Sequence, residues 1–278
     1  MKKILITGVS GYIGSHLADR LRSRYKIIGV DLNYPQINLH QFIRSDIRQL
    51  HYLPEVDTVI HLAALVKVNE SVANPHSYYN TNLNGTMNVL ESVRQRCENF
   101  IFASTGSAEY CNNPYGISKR AAEDCVQEYC KDSNMLYTTF RFYNVIGSKG
   151  FSPTNPDGLF YNLIKAKQCG AFTIFGNDYN TVDGTAERDY VHVDEICAAI
   201  EKAIEYPANG VENLGHGKGH TVKQITEVFK QTNNCDFDVL YGPRRSGDLE
   251  RSVLDNPSSY LPNLYGIDEL VKIPLNML

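Results

Sequence analysis

The opening fourteen residues constrain the fold of this 278-residue chain more than any later stretch. Lys3–Thr7 (KILIT) is a short apolar run of the kind that forms a buried strand. It runs into Thr7-Gly8-Val9-Ser10-Gly11-Tyr12-Ile13-Gly14. Gly8 permits a tight turn, Gly11 lets the backbone approach a pyrophosphate, and Gly14 lets the next helix lie close to the sheet. A helix is expected over 14–23, with Ile13, Leu17 and Leu21 on one face. Its N-terminus offers N–H groups and a positive dipole end to the pyrophosphate. Three glycines alone are a weak signal. Here a strand precedes them, a helix follows, and a second strand, 26–30 (KIIGV), ends at Asp31. An acid there accepts both ribose hydroxyls and repels a 2′-phosphate, which favours NAD over NADP.

The first half keeps alternating. Strands are expected at 58–62 (TVIHL), 100–103 (FIFA) and Leu136–Phe142 (LYTTFRF), with a long helix over 75–96 and another over 118–130. Strands alternating with helices imply a parallel sheet covered on both faces, an α/β chain of doubly wound type. After about 147 the texture changes to a Gly-, Pro- and Ser-rich loop, GSKGFSPTNPDG, followed by less regular elements. We expect an NAD-binding Rossmann domain over 1–147, a strand and helix returning to it from about 186–206, and a smaller mixed C-terminal substrate domain over 148–278.

Net charge is −4, with both signs interspersed, so neither a nucleic-acid nor a membrane surface is expected. No apolar run suits a signal-peptide core or a membrane span. The seven cysteines are scattered, without Cys-x-x-Cys or a Cys/His cluster at zinc spacing. Reduced thiols, a cytoplasmic location and no metal are the expectations.

Residues 113–124 read NPYGISKRAAED. Tyr115 and Lys119 are four apart, so on a helix they share a face. Alone, the pair is equally a tyrosine that packs and a lysine that is solvated. Together with the Gly-x-x-Gly-x-x-Gly spacing and His61-Leu62-Ala63-Ala64, it resembles the extended short-chain dehydrogenase/reductase family. Residues 175–193 (FGNDYNTVDGTAERDYVHV), 213–219 (NLGHGKG) and Arg244-Arg245-Ser246-Gly247-Asp248 narrow the resemblance to sequences like UDP-glucose 4-epimerase, from end to end. The chain is shorter than typical members, with an abbreviated stretch between Asp31 and Asp46, a trimmed segment before Phe175, and little after Pro274.

The resemblance implies NAD-dependent 4-epimerisation of a UDP-hexose. Tyr115 would take the proton from the sugar 4-hydroxyl, and Lys119 would tune Tyr115 and hold the nicotinamide ribose. The C4 hydride would pass to NAD, leave a 4-keto sugar, and return to its opposite face. Free tyrosine has a pKa of about 10, so a nearby cation is needed to stabilise the phenolate. A hydroxyl must bond the substrate oxygen, and Thr105 is the candidate, with Ser104 and Ser107 left open by the register of the run after FIFA. For the cofactor the resemblance implies Gly8, Gly11, Tyr12, Ile13, Gly14 and Asp31, the adenine-contacting Asp46 and Ile47, the loop residues Leu62, Ala63, Ala64 and Lys67, and Tyr115 with Lys119. His61 is expected to pack behind the cofactor and not to catalyse. For the UDP-sugar it implies Lys67, Thr105, Tyr115, Asn144, Arg188, Arg245, Asp248 and Ser252. Two guanidiniums suit two phosphates.

The resemblance also implies that Ser252 borders the pocket for the sugar 2-substituent. It is small, which leaves room for an N-acetyl group, so UDP-GlcNAc and UDP-GalNAc are expected substrates beside UDP-glucose and UDP-galactose. A related 4,6-dehydratase would carry an Asp-Glu pair after Thr105, where Gly106 and Ser107 stand. A reductase would use NADPH, against which Asp31 argues. The same fold would also suit a decarboxylase or a non-catalytic NAD-binding regulator. The resemblance further implies a homodimer, with helices near 78–95 and 118–131 pairing into a four-helix bundle.

Overall fold

The apolar runs become the central strands. The computed structural model describes residues 1–245 and 247–274; Ser246 of the Arg244–Asp248 run lies outside them. Strands β1 (Lys3–Thr7), β2 (Lys26–Asp31), β3 (Gln41–Arg44), β4 (Thr58–His61), β5 (Asn99–Thr105) and β6 (Leu136–Phe142) come first. They pair in the order β3-β2-β1-β4-β5-β6, and every one of these pairings is parallel. Strand order reverses between β1 and β4, the switch point at which Rossmann sheets open a crevice beyond their C-terminal ends. Downstream lie β7 (Asn144–Ile146), β8 (Ala171–Phe175), β9 (Glu187–His192), β10 (Gly210–Leu214), β11 (Gly219–Thr221), β12 (Asp238–Gly242) and β13 (Arg251–Ser252). Strand β10 adds a seventh strand beside β6.

The chain divides into two compact units, one of residues 1–142 with 197–212, the other of 143–196 with 213–278. The returning segment therefore starts at Cys197, later than about 186, and β9 belongs to the second unit. The core of the first unit is built from Leu5, Val30, Val59, Phe100 and Phe102 on the strands and Val89, Leu90, Ala122 and Val126 on helices. In the second unit, β9 carries β11 and β13 on its two sides and also pairs with β7, while β8 and β12 form a separate parallel pair. Its core gathers Phe160, Leu163, Phe172, Ile174, Tyr190, Ile225 and Phe229.

Helices α1 (Tyr12–Leu21), α2 (Val68–Ala73), α3 (Pro75–Tyr78), α4 (Gly85–Val93), α5 (Ser107–Tyr110) and α6 (Pro114–Asp132) precede β6. After it come α7 (Leu159–Cys169), α8 (Val193–Glu205), α9 (Val222–Thr232) and α10 (Ile267–Leu270). The expected long helix over 75–96 is broken. Residues Tyr79–Asn84 form a π-helical stretch between α3 and α4, a wider turn that turns Asn82 into the interior, fully buried. Helix α6 begins four residues before its expected start. Asn113 accepts from the Gly116 amide at 2.9 Å as its cap, and Pro114 opens its first turn. Tyr115 thus lies inside the helix, one turn before Lys119.

Helix α1 starts at Tyr12, and its position depends on Gly14. A Cβ there would lie 2.1 Å from the Gly8 carbonyl oxygen and 2.8 Å from Val9 Cα. These are backbone atoms, so the helix would have to move off the sheet. Gly14→Ala is expected to destabilise the chain by about 1–3 kcal/mol, the usual range for overpacking. Gly210→Ala, where nothing lies within 4 Å of the new Cβ, is expected to change stability by less than about 0.5 kcal/mol. Urea unfolding of both variants checks the contrast.

Candidate active site

The turn between β1 and α1 is fixed by backbone. Gly8 has φ +72, and its amide donates to the Val30 carbonyl at 2.8 Å. Gly11 donates to Gly8 at 3.1 Å and accepts from Ser15 at 2.9 Å. Gly11 provides no side-chain cap, and helix geometry leaves first-turn amides without an intrahelical acceptor. A glycine cradle ending in an uncapped helix N-terminus fits an anionic pyrophosphate. Asp31 stands beside it at the end of β2. Its two oxygens accept from the Ser10 amide at 3.0 Å and the Asn33 amide at 2.9 Å. That fixes the carboxylate while leaving lone pairs for ribose hydroxyls. Asp46 caps the short 3₁₀ turn Ile47–Gln49 and bonds the Arg48 guanidinium, which pulls its carboxyl below the usual range. Ile47 is buried, with its side chain against the position where a Gly85 Cβ would stand.

His61 ties β1 to β4. Its Nε2 lies 2.9 Å from Thr86 Oγ1, whose own proton goes to the Asn82 carbonyl. Nε2 is therefore the protonated nitrogen, and Nδ1 accepts from Thr7 Oγ1 at 2.6 Å. Thr7 Oγ1 in turn accepts from the Ala63 amide at 3.2 Å. The chain of bonds fixes the start of the Leu62-Ala63-Ala64 loop. Asn82 fixes its end, accepting from the Leu65 amide at 2.8 Å and donating to the Leu65 carbonyl at 2.9 Å. The same Asn82 amide reaches Ser118 Oγ on α6 at 3.1 Å. Lys67 points elsewhere: half-exposed, it pairs with Glu70 at 3.4 Å.

Helix α6 presents Tyr115, Ser118 and Lys119 to this region, all buried. Gly116 follows Tyr115 because a Cβ there would lie 2.5 Å from the Ser107 carbonyl oxygen, where α5 crosses α6. The Tyr115 hydroxyl is hydrogen-bonded to Thr105, and Thr105 Oγ1 accepts from the Ser107 amide at 3.2 Å. Ser104 turns away and donates to Glu123 at 2.5 Å. Of the three candidate hydroxyls, the structure brings Thr105 to Tyr115. Lys119 Nζ lies 4.1 Å from the centre of the Phe102 ring. Burial pushes Tyr115 up to about 12 and Lys119 down to about 7; the Thr105 bond partly opposes the first shift and Glu123 the second. The sequence suggests a cation lowering Tyr115; in the folded chain alone, burial raises it and the opposing cause is the Thr105 hydrogen bond. The site can exchange a proton at the Tyr115 oxygen, in a largely buried position.

In the second unit, the structure gathers Arg188, Ser252 and Asn144 around β9. Ser252 is the register partner of Arg188, and Asn144 pairs with Tyr190. Asn144 donates to the Asp189 carbonyl at 3.2 Å. Arg188 is held by the carbonyls of Glu187 at 2.9 Å and Glu250 at 3.3 Å. Arg245 stacks on Phe175 at 4.1 Å, and Asp248 is exposed. Asp189, to which the sequence assigns no role, is fully buried. It accepts from the amides of His216, Gly217 and Leu254 at 3.0, 2.8 and 3.3 Å. It thereby organises the 215–217 loop. Among the described residues, no cluster of His, Cys, Asp and Glu suits a metal ion, and no helix is long and apolar enough to cross a membrane.

Comparison with known proteins accounts for this assembly of elements. The model of the NAD dependent epimerase/dehydratase family matches residues 4–215. The chain belongs to that family. It is 32% identical to UDP-glucose 4-epimerase 2 of Oryza sativa subsp. japonica, over 98% of this chain and 80% of that one. It is 33% identical to probable UDP-arabinose 4-epimerase 3 of Arabidopsis thaliana, over 94% of this chain and 75% of that one. Its fold superposes on UDP-glucose 4-epimerase of Thermotoga maritima, solved with UDP-glucose, with a TM-score of 0.85, 30% identity and coverage of 97% and 96%.

As a member of this family the chain uses NAD, and the glycine cradle, the α1 N-terminus and Asp31 suit it. Asn82 and Ser118 are invisible to periodicity, because a π-helical stretch shifts the face that Asn82 presents. A short Asn-rich run, YNTNLNG, is the available signal.

The His61 clamp has a pH signature. Burial, then the charge of Lys119, lowers its pKa to about 3, against about 6.5 unfolded. The unfolded chain binds that proton first, so this contribution to stability falls as pH drops from about 6.5 towards 3. In NMR, the His61 ring is expected to stay neutral, with the proton on Nε2, throughout about pH 5–8. A midpoint inside that window would contradict the clamp.

Proposed function

We propose that the chain is an NAD-dependent isomerase that inverts C4 of a UDP-sugar, interconverting UDP-galactose and UDP-glucose through a transient 4-keto sugar. The observation that carries this is the buried trio Tyr115, Thr105 and Lys119, in a chain of the epimerase/dehydratase family. Tyr115 takes the proton from the 4-hydroxyl and returns it, and Thr105 holds the same oxygen by hydrogen bonds. Tyr115 at about 12 keeps its proton in the chain alone, so the base form needs added positive charge. Lys119 supplies one charge when protonated. NAD, when bound, supplies reversible hydride acceptance at C4 and a second positive charge.

The remaining roles follow from chemistry already described. The turn from Gly8 through Gly11, Tyr12 and Ile13 to Gly14 holds the pyrophosphate, and Asp31 accepts a ribose. Asp46 and Ile47 border the adenine, and Leu62, Ala63 and Ala64 line the cofactor. Lys67 serves cofactor or sugar only by leaving Glu70. In the second unit, Asn144, Arg188 and Arg245 hold the diphosphate and Asp248 a ribose, making this the substrate-binding unit and the first the NAD-binding unit. Exposed Ile117 on α6 supports a homodimer through α4 and α6, and the free cysteines suit the cytoplasm.

The relatives named above act on UDP-glucose and UDP-arabinose, so family membership leaves the sugar open. Ser252, half-buried on β13, supports acceptance of UDP-GlcNAc and UDP-GalNAc. The test is anomeric-proton NMR on UDP-galactose, UDP-GalNAc and UDP-arabinose, with catalytic NAD and no reductant. The expected result is conversion of UDP-galactose and UDP-GalNAc to their gluco partners. A stable 4-keto product would assign a different enzyme. Tyr115→Phe is expected to lower kcat by about 10²–10⁴ while retaining NAD. Ser252→Tyr is expected to abolish UDP-GalNAc turnover and spare UDP-galactose; equal loss of both contradicts the role given to Ser252.

A further inference from the structure

One helical turn beyond Lys119 lies a second buried polar cluster, which the reaction above does not use. Glu123 is 5% exposed. Its Oε1 accepts from Ser104 Oγ at 2.5 Å and Arg141 Nε at 2.9 Å, and its Oε2 from Arg141 Nη2 at 2.7 Å. Ser104 and Arg141 are register partners on β5 and β6. Strand alternation puts Phe102 on the Ser104 face of β5, and the Phe102 ring carries the Lys119 ammonium. The i, i+4 pair Lys119 and Glu123 on α6 therefore covers the i, i+2 pair Phe102 and Ser104 on β5.

An ammonium with little water around it tends to lose its proton, and the Phe102 face beneath it offsets only part of that loss of hydration. Glu123 opposes that loss from Lys119's own helix face. Among the described residues, the other groups around Lys119 carry no negative charge that would do so. Tyr115 on α6 holds its proton, Thr105 on β5 is neutral, and His61 on β4 is neutral above about 3. Arg141 on β6 is the countercharge, bonded to both oxygens of Glu123, with Glu109 within its electrostatic reach. The Ser104 and Arg141 bonds fix the carboxylate so that its field acts from one place.

We propose that Glu123, locked by Arg141 and Ser104, is a positioning residue that keeps Lys119 charged beside Tyr115 and so sets the alkaline limit of the reaction. This rests on the epimerase reading for its activity assay. Lys119 acts as the ammonium, so turnover is lost as pH rises through its pKa. Neutralising Glu123 leaves Arg141 unbalanced and moves that limit down. Neutralising Arg141 leaves Glu123 unbalanced and moves it up.

The experiment is the pH profile of kcat for UDP-galactose with Glu123→Gln and Arg141→Gln. The expected result is an alkaline limb displaced by about one pH unit or more, to lower pH in the first variant and to higher pH in the second. A merely structural role would lower kcat evenly across pH and leave the limb in place. The second readout needs no turnover: NMR titration of the labelled Lys119 side chain in the NAD-loaded protein, assigned with Lys119→Arg. If the wild type turns over no UDP-sugar, the epimerase reading fails, and the titration still decides the role of Glu123. Limbs or titrations that coincide with the wild type, or that move the same way in both variants, overturn the proposal. Should one variant not fold, the other decides alone, because each has its own required sign.

Discussion

Taking the Lys119 ammonium out of water and laying it on the Phe102 ring is the constraint around which the first unit's site is arranged. Burial favours the neutral amine at Lys119 and the neutral phenol at Tyr115. Each charged form is therefore disfavoured by itself. Under the proposed function, the phenolate forms only with added positive charge beside it, from Lys119 and from bound NAD. Thr105 is hydrogen-bonded to Tyr115, and the charge of Glu123 favours the charged form of Lys119.

That arrangement survives only if α6, β5 and the loop after β4 keep their places. Gly116 lets α5 and α6 touch through backbone. Asn82 bonds both sides of the approach, the Leu65 backbone and the Ser118 hydroxyl. His61 does similar work between Thr7 and Thr86. These are buried neutral hydrogen bonds, and losing one partner would strand the other at the full cost of desolvation. In the second unit the fully buried Asp189 has the corresponding structural part, gathering three amides so that the 215–217 loop keeps its shape.

Much of this is legible in the residues themselves. KILIT and LYTTFRF fall on β1 and β6 without adjustment, because buried parallel strands are near-continuous apolar runs bounded by turn residues. The glycine turn, Asp31 and the Tyr115–Lys119 spacing are readable because backbone sterics and helical periodicity leave few other arrangements. What periodicity misses has local causes. The strand β3 is short, half-buried and carries Gln41 and Arg44, so it lacks a periodic signal. The helix over 75–96 breaks because a π-helical stretch keeps helical composition while changing the face presented. Helix α6 starts earlier than its apolar pattern because Asn113-Pro114, a cap and a first-turn proline, carries no periodicity. The choice among Ser104, Thr105 and Ser107 depends on where β5 ends, which no pattern in STGSAEY encodes. The pairing of Ser104 with Arg141 is a register fact between separate strands, beyond the reach of periodicity.

The central claim is that one buried site removes hydrogen from sugar C4 and restores it to the other face of the same molecule. The most direct measurement uses UDP-galactose deuterated at C4, incubated in ordinary water with NAD-loaded protein and followed by NMR to the gluco product. The account predicts that deuterium stays on C4 of the product through many turnovers, since the proton that Tyr115 handles belongs to the oxygen and not to the carbon. Product carrying ordinary hydrogen at C4, or label migrating to a neighbouring carbon, would contradict it.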